Sequence, residues 1–200
     1  MRRIPITRWC QERIRQLMPH PLVCIDATAG TGRDTLFLCR ITPEEGKILS
    51  MDIQEEALNQ AEKRIKEAGY QDKVVFVCDG HENMDLYITN PPGVDLIMFN
   101  LGYLPGGDHS IATAYPTTIK AVTKGLDLLK NGGLMTLMIY SGGDSGYEER
   151  DALLPFLQSL DYRRYTVILE SFYNKPNTPP LPVYILKHEE KKAVDQEPAV

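Results

Sequence analysis

The sequence predicts an α/β protein built on a doubly wound, mostly parallel sheet of seven strands, with helices on both faces and an antiparallel hairpin at one edge. Two patterns predict this fold. As far as residue 140, short apolar runs bounded by turn residues alternate with amphipathic segments. Beyond it, after one more helical segment, two apolar runs follow one another across a short proline-rich link, which is typical of a hairpin.

The strands are predicted where apolar residues run together between turn signals. Several runs, such as VDLIMFN, are apolar on both faces, as a parallel sheet covered by helices requires. In chain order the predicted strands are 22–27, 47–52, 74–79, 94–100, 134–140, 165–172 and 183–188.

The helices are predicted where apolar residues recur at helical spacing. In the third of them Ala57, Ala61 and Ile65 share one stripe, and Gly69 ends the helix. The predicted helices are 7–18, 34–40, 54–68, 117–130 and 148–160.

Length and composition favour one soluble domain without a membrane span. Of the 200 residues 42% are hydrophobic and 24% are charged, and no run reaches the ~18 apolar residues that a spanning helix needs. We expect a single domain over residues 1–188, an acidic, disordered tail over 189–200 and a cytoplasmic location. The net charge of −5 argues against a protein that coats nucleic acid indiscriminately.

The four cysteines carry no metal-binding pattern. Cys10, Cys24, Cys39 and Cys78 form no Cys-x-x-Cys pair, and no two histidines have the spacing of zinc ligands. Buried thiols in a reducing compartment are the simpler interpretation, so we expect no metal.

The most informative segment joins the first strand to the second helix. The strand ends at Asp26, a turn with Gly30 and Gly32 follows, and a helix begins near Asp34. Glycines there allow backbone N–H groups to approach a ligand at the carboxyl edge of the sheet. The next strand ends in Asp52, where a carboxylate can accept both hydroxyls of a ribose.

Three cofactor classes compete for this loop. A phosphate-binding loop needs lysine after its last glycine, whereas Gly32 precedes an arginine, and a dinucleotide fold needs a third glycine where Thr35 stands. Asp26 and Asp34 suit the ammonium group of S-adenosylmethionine, and Asp79 after the third strand would face its adenine amino group. A structural turn or a dinucleotide site is the alternative. The predicted cofactor contacts are Asp26, Thr28, Gly30, Gly32, Asp34, Thr35, Asp52, Ile53, Gln54, Asp79, Gly80, His81 and Asn100.

The loop after the fourth strand is the candidate substrate site. Asn100 supplies a carbonyl acceptor and Tyr103 a stacking face, and Asp108 and His109 can accept a proton, so Asn100, Asp108 and His109 are the predicted catalytic residues. Asn90-Pro91-Pro92 looks like the Asn-Pro-Pro-aromatic motif of amino-group methyltransferases, but it precedes the strand and is predicted to be a rigid turn. Because the loop holds no cysteine, transfer to a nitrogen or oxygen lone pair is favoured over covalent attack on a pyrimidine.

Six segments together carry a family resemblance: Asp26-Ala-Thr-Ala-Gly-Thr-Gly-Arg-Asp-Thr35, Asn100-Leu-Gly-Tyr-Leu-Pro-Gly-Gly-Asp-His109, Thr117-Thr118-Ile119, Tyr140-Ser-Gly142, Glu148-Glu149 and Asn174-Lys-Pro-Asn-Thr-Pro-Pro180. Over about residues 20–187 the chain resembles the bacterial tRNA (5-aminomethyl-2-thiouridine 34) methyltransferases, formerly described as rRNA methylases. The resemblance implies a Rossmann-like class I methyltransferase fold that uses S-adenosylmethionine. It also implies methylation of the aminomethyl group at the wobble uridine, with the tRNA anticodon stem-loop as partner.

The substrate contacts expected on this basis lie in three segments of the chain. They are Leu101, Gly102, Tyr103, Tyr140, Lys175 and Asn177. Two departures from the family pattern stand out: Gly30-Thr31-Gly32 replaces the frequent Gly-Asn-Gly, and Gly143 stands where the family commonly has histidine.

A local patch of cations is predicted to dock the RNA despite the negative net charge. Its candidate members are Arg2 and Arg3 with the arginine-rich first helix, Arg33, Arg163, Arg164 and Lys175. The sequence leaves open a methyltransferase for rRNA or a small metabolite, and a non-catalytic module that binds cofactor or RNA. It is also compatible with a homodimer.

Overall fold

The computed structural model describes residues 4–91, 93–102, 113–140, 143–175 and 179–189. Several predicted residues lie outside this part of the chain: Arg2, Arg3, Tyr103, Asp108, His109, Asn177 and the tail from residue 190 onward.

Seven strands form a single sheet in the order β3-β2-β1-β4-β5-β7-β6. The first five run parallel, whereas β7 is antiparallel to both of its neighbours. The doubly wound sheet with an antiparallel edge hairpin is therefore confirmed. The strands are β1 Val23–Asp26, β2 Lys47–Asp52, β3 Val74–Cys78, β4 Val94–Asn100, β5 Leu129–Ile139, β6 Tyr165–Leu169 and β7 Leu181–Lys187.

Helices cover both faces of the sheet, and successive residues of a strand belong to opposite cores. Ile25 and Ile97 pack in a cluster with residues of the fourth and fifth helices, whereas Cys24 and Leu96 pack with residues of the first three. The helices are α1 Ile6–Leu17, α2 Arg33–Ile41, α3 Glu55–Glu67, α4 Tyr115–Leu128 and α5 Gly143–Gln158, with two unpredicted 3-10 helices at Gln71–Lys73 and His81–Tyr87. No helix in the described ranges is both long and apolar enough to cross a membrane.

The boundary between α4 and β5 differs from the prediction. The sequence predicts a helix to residue 130 and a strand from 134, but β5 begins at Leu129, which pairs with Val94. The register then shifts, because Leu96 pairs with Leu134, so the strand bulges around Gly132, whose φ is 77°. The glycines that suggest a helix stop in fact form an irregularity inside the strand. α5 also begins at Gly143, five residues before the predicted start at 148.

The strand register fixes which side chains share an edge with the carboxyl ends of β1, β2 and β4. At the start of β7, Leu181 pairs with Ile139, so the link between β6 and β7 and its Lys175 lie at that carboxyl edge. β6 begins at Tyr165, which pairs with Lys187 at the other edge. Arg163 and Arg164 precede Tyr165 and therefore lie at the edge opposite Lys175, so a dock confined to the carboxyl edge would not include them.

Candidate functional site

The first acidic residue of the glycine loop is a buried support. Asp26 has no exposed surface, and its carboxylate accepts a hydrogen bond from Thr35 Oγ1 at 2.6 Å. The Thr35 hydroxyl also shares a hydrogen bond with Ser50 Oγ at 2.9 Å, which joins β1, α2 and β2. Burial and the negative charge of Asp34 raise the pKa of Asp26 to about 7. Asp26 and Thr35 lie too deep to touch a ligand, so their predicted direct cofactor contacts are replaced by a supporting role.

The two glycines of the loop have different reasons to be glycine. Both have positive φ, 49° at Gly30 and 77° at Gly32. A Cβ on Gly32 would lie 2.8 Å from the Cα of Ala61, so this buried glycine lets α3 pack against the start of α2. The Cβ side of Gly32 thus faces α3, and the predicted contact of Gly32 with the cofactor stays a prediction. Gly30 is half-buried and donates its N–H to Asp52.

Asp52 is held by backbone donors yet retains acceptor capacity. One carboxylate oxygen accepts from Gly30 N at 2.8 Å and the other from Gln54 N at 3.0 Å. Since a carboxylate offers about four acceptor sites, each oxygen keeps one for a further donor. Ile53 beside it is 59% exposed and presents an apolar surface. A fixed carboxylate next to an exposed apolar side chain fits a ribose and a base.

The polar groups after β3 make most of their hydrogen bonds within the protein. Asp79 accepts from Gly80 N and Asn83 on one oxygen and from the Tyr87 hydroxyl at 2.9 Å on the other. These bonds lower the pKa of Asp79 and leave about one acceptor site. His81 is buried and packs edge-on against Phe99 with ring centroids 5.7 Å apart, and burial lowers the pKa of its imidazole.

The tip of β4 holds a buried acceptor without a donor. Asn100 donates its backbone N–H to Thr28 Oγ1 at 2.7 Å and its side-chain Nδ2 to Asp34 at 3.1 Å. Its Oδ1 is buried and receives no hydrogen bond from the described residues. Gln11 Nε2 donates to the other oxygen of Asp34 at 2.9 Å. The structure thus brings Thr28, Asp34 and Asn100, three of the predicted cofactor contacts, together.

The first helix closes one side of this site, which the sequence did not predict. Side chains of α1, β4 and β5 line a cleft beside Asp34, and burial raises the pKa of the Cys10 thiol within it to about 12. The only signal in the sequence is Gln11, a polar residue that borders the buried stripe of Ile6, Cys10 and Ile14. The cleft is lined by Thr7, Cys10, Gln11, Asp34, Met98, Phe99, Asn100, Thr136 and Met138.

The predicted substrate residues after β4 divide into buried and accessible ones. Leu101 is 1% exposed and belongs to the core, so its predicted substrate contact is corrected to packing. Gly102 has a φ of 136° and lies against the ring of Tyr140, which a Cβ would approach to 3.8 Å. Tyr140 is half-buried, and burial raises the pKa of its hydroxyl.

A buried carboxylate supports the contact between Gly102 and Thr113. Gly102 N donates to Thr113 Oγ1 at 2.8 Å, and Thr113 N donates to Gly102 O at 3.0 Å. Glu149 of α5 accepts from the hydroxyls of Thr113 at 2.8 Å and Thr118 at 2.7 Å. Burial raises the pKa of Glu149. The sequence marks Glu149 only within the family resemblance, without a role, because nothing in its spacing shows that it meets Thr113.

Lys175 lies near the first helix rather than free in solution. Its Nζ lies 5.9 Å from the ring centroid of Phe172, which packs edge-on against Trp9. Glu170 accepts hydrogen bonds from Trp9 and Arg13, so the charge of Arg13 is paired. Of the predicted dock, Lys175 and exposed Arg33 lie at the carboxyl edge, and exposed Arg8 lies on α1 beside Thr7 of the cleft.

No three His, Cys, Asp or Glu side chains converge as a metal site within the described ranges.

A family model and two solved structures that match this chain carry related descriptions. The family model "Putative rRNA methylase" matches residues 48–186. A structure from Clostridium thermocellum with the same description is 40% identical, covers 94% of this chain and all of that one, and has a TM-score of 0.88. A Streptococcus mutans methyltransferase solved with S-adenosylhomocysteine is 35% identical, covers 94% of this chain and 99% of that one, and has a TM-score of 0.81.

One curated relative has a more specific name. The Arabidopsis thaliana protein "tRNA (mnm(5)s(2)U34)-methyltransferase, chloroplastic" is 33% identical over 175 residues, 82% of this chain. The match spans only 63% of the length of that relative. The family resemblance expected from the sequence is confirmed by these matches. The chain belongs to the rRNA methylase family, and its sheet has the architecture of the S-adenosylmethionine-dependent methyltransferases.

Proposed function

We propose that this protein is an S-adenosylmethionine-dependent methyltransferase that methylates the primary amine of 5-aminomethyl-2-thiouridine at wobble position 34 of tRNA. The family and the relative bound to S-adenosylhomocysteine support the methyltransferase and its cofactor. The name of the plant relative supports the tRNA substrate. The observation that carries the proposal is the buried Oδ1 of Asn100 beside Asp34, which has no partner within the described part of the chain, because an amine is a donor that suits it.

The residues at the carboxyl edge fit this cofactor. Asp52 keeps one acceptor site on each oxygen, which suits the two hydroxyls of a ribose. Exposed Ile53 would cover one face of the adenine, and the remaining site on Asp79 would accept from its amino group. When bound, S-adenosylmethionine supplies an electrophilic methyl group.

The chain's own task is to present a neutral, aligned amine. An alkylamine has a pKa near ~10 in solution and is mostly protonated at neutral pH, so its lone pair must be freed. The Asn100 carbonyl would accept an N–H of the amine and so orient its lone pair, and Tyr140 would pack against the base. Asp108 and His109 are the proposed proton acceptors. Positioning of this kind contributes up to about 7–11 kcal/mol to lowering a barrier.

The anticodon stem-loop would dock at the carboxyl edge. Exposed Arg33 and half-buried Lys175 lie on that edge, and local cations of this kind hold phosphates even on a protein of net charge −5. A cytoplasmic location and a homodimer belong to the same proposal.

Nucleoside analysis tests the substrate directly. Purified protein is incubated with S-adenosylmethionine and tRNA that carries 5-aminomethyl-2-thiouridine, and the digested nucleosides are measured by mass spectrometry. We expect the methylaminomethyl nucleoside to appear, and Asn100→Ala to reduce its rate of formation at least 100-fold. Methyl groups on rRNA or on a small metabolite alone would replace the proposed substrate, and no transfer to any acceptor would favour a binding module.

A further inference from the structure

Asp34 lies between two side-chain amides and fixes the orientation of both. Its two carboxylate oxygens accept from Gln11 Nε2 at 2.9 Å and from Asn100 Nδ2 at 3.1 Å. A carboxylate can only accept, so each amide must turn its NH₂ group towards Asp34. The carbonyl oxygens of Gln11 and Asn100 therefore occupy the ends of the amides that face away from Asp34.

Both of these residues line the same cleft. Gln11 and Asn100 line it together with Thr7 and Thr136. Asn100 Oδ1 is buried without a partner among the described residues, and no described residue donates to Gln11 Oε1. Buried acceptors in proteins are nearly always paired, so the buried Oδ1 of Asn100 points to a donor supplied by a ligand, and half-buried Gln11 stands beside it in the same lining.

The lining of the cleft narrows the chemistry of that donor. It contains carbonyl and hydroxyl oxygens, the carboxylate of Asp34 and the apolar side chains of Met98 and Met138, but no lysine or arginine among the lining residues that the structure describes. Such a surface repels a phosphate or a carboxylate and suits a group with several N–H donors and a positive charge.

We propose that Gln11 and Asn100 together bind an alkylammonium group, with Asp34 holding both amides and supplying the complementary charge. The inference rests on the proposed function and deepens it, because two groups in that reaction have this chemistry. One is the aminomethyl group of the substrate, and the other is the ammonium group at the methionine end of the cofactor. Gln11 thereby gives α1 a binding role, and the bonds of Trp9 and Arg13 to Glu170 hold that helix in place.

Two substitutions separate an acceptor role from a merely structural one. Gln11→Lys keeps a donor to Asp34 but removes the carbonyl acceptor and adds a like charge. Gln11→Met removes both the donor and the acceptor at similar length. Gln16→Met is the matched control, since Gln16 is exposed on the same helix and bonds only to Arg13 among the described residues. Thermal unfolding and circular dichroism check that each variant is folded.

Two readouts identify the source of the ammonium group. Calorimetry measures binding of S-adenosylmethionine and of S-adenosylhomocysteine, which needs no turnover, and steady-state kinetics measures KM and kcat for the modified tRNA. A cofactor affinity at least tenfold lower in both Gln11 variants assigns the site to the cofactor. Unchanged cofactor affinity with kcat/KM for tRNA at least tenfold lower assigns it to the substrate amine.

The result that overturns the proposal is retention of wild-type values by Gln11→Lys in both readouts, because this variant lacks the acceptor. This holds even if Gln11→Met does not fold. Wild-type protein that binds cofactor but leaves the tRNA unmethylated would refute the proposed substrate, while calorimetry would still decide the role of Gln11. Wild-type protein that neither binds cofactor nor transfers a methyl group would overturn both.

Discussion

The two halves of the carboxyl edge treat their polar groups differently. Around the glycine loop, the buried carboxylate of Asp26 is bonded to Thr35 and that of Asp52 to backbone N–H groups. At the tip of β4, a buried oxygen of Asn100 has no partner among the described residues. The described carboxylates of the first region are bonded within the protein, whereas the second leaves an acceptor that a ligand could fill. This difference is why we propose the β4 tip as the place where the reacting group is recognised.

The largest effect on stability is expected from the protonation state of Asp26, in the glycine-loop region. Its pKa is raised from 3.8 to about 7 in the folded protein. A raised pKa means that the stabilising contribution of the protonated group is complete below about pH 3.8 and is lost as the pH rises through about 7. Asp26→Asn does not titrate. We expect its stability relative to wild type to improve between pH 4 and 8, by up to ~4 kcal/mol.

Urea unfolding at several pH values measures this effect. Asp151→Asn, an exposed substitution on α5, is the control and should show no such trend. A constant difference between Asp26→Asn and wild type from pH 4 to 8 would show that Asp26 titrates normally and that the loop is less closed than its contacts indicate.

Substitution of Gly32 tests whether the loop depends on close packing. Gly32→Ala places a Cβ 2.8 Å from Ala61 at a φ of 77°, so the left-handed conformation and the overlap together should lower the free energy of unfolding by about 3 kcal/mol. Gly69→Ala is the matched control, since its φ is 78° but no atom lies within 4 Å, and it should cost only about 1 kcal/mol. Equal losses in denaturant unfolding would mean that the α3 contact contributes nothing.

These contacts show what the sequence could and could not predict. Alternating apolar runs predicted the sheet, because burial on both faces of a parallel strand leaves a strong local signal. Because the strand ends were predicted, the acidic residues that follow them could be identified from the sequence. The burial of Asp26 and Leu101 could not be predicted, since a residue at a strand end can face a ligand or the core. Contacts between distant segments, such as Gln11 with Asp34 and Glu149 with Thr113, leave no local pattern at all.

Substitution of Glu149 should perturb the region around the β4 tip while leaving the glycine loop and Asp52 unchanged. Glu149→Gln can accept only at its carbonyl, so one of the hydroxyls of Thr113 and Thr118 loses its acceptor, at a cost of about 1–3 kcal/mol. Because Thr113 is bonded to Gly102 just after the β4 tip, we expect kcat/KM for tRNA to fall about tenfold, equivalent to about 1.4 kcal/mol, with cofactor affinity unchanged. Glu148→Gln, its exposed neighbour, should leave both values unaltered. A loss of cofactor affinity in Glu149→Gln would show that the two regions are coupled.

The smallest effects are expected at the cations that would bring RNA to the open region. Arg33→Ala and Lys175→Ala remove an exposed and a half-buried charge, respectively, at the carboxyl edge, and each should weaken tRNA binding by about 1 kcal/mol while lowering the slope of log affinity against log salt by about 1. Arg163→Ala removes an exposed charge at the opposite edge, where Arg163 is paired with Asp161, so tRNA affinity should not change. Filter binding across a salt series measures all three. If Arg163→Ala weakened binding as much as Lys175→Ala, the RNA would contact both edges of the sheet, and the cations would no longer distinguish the β4 tip as its target.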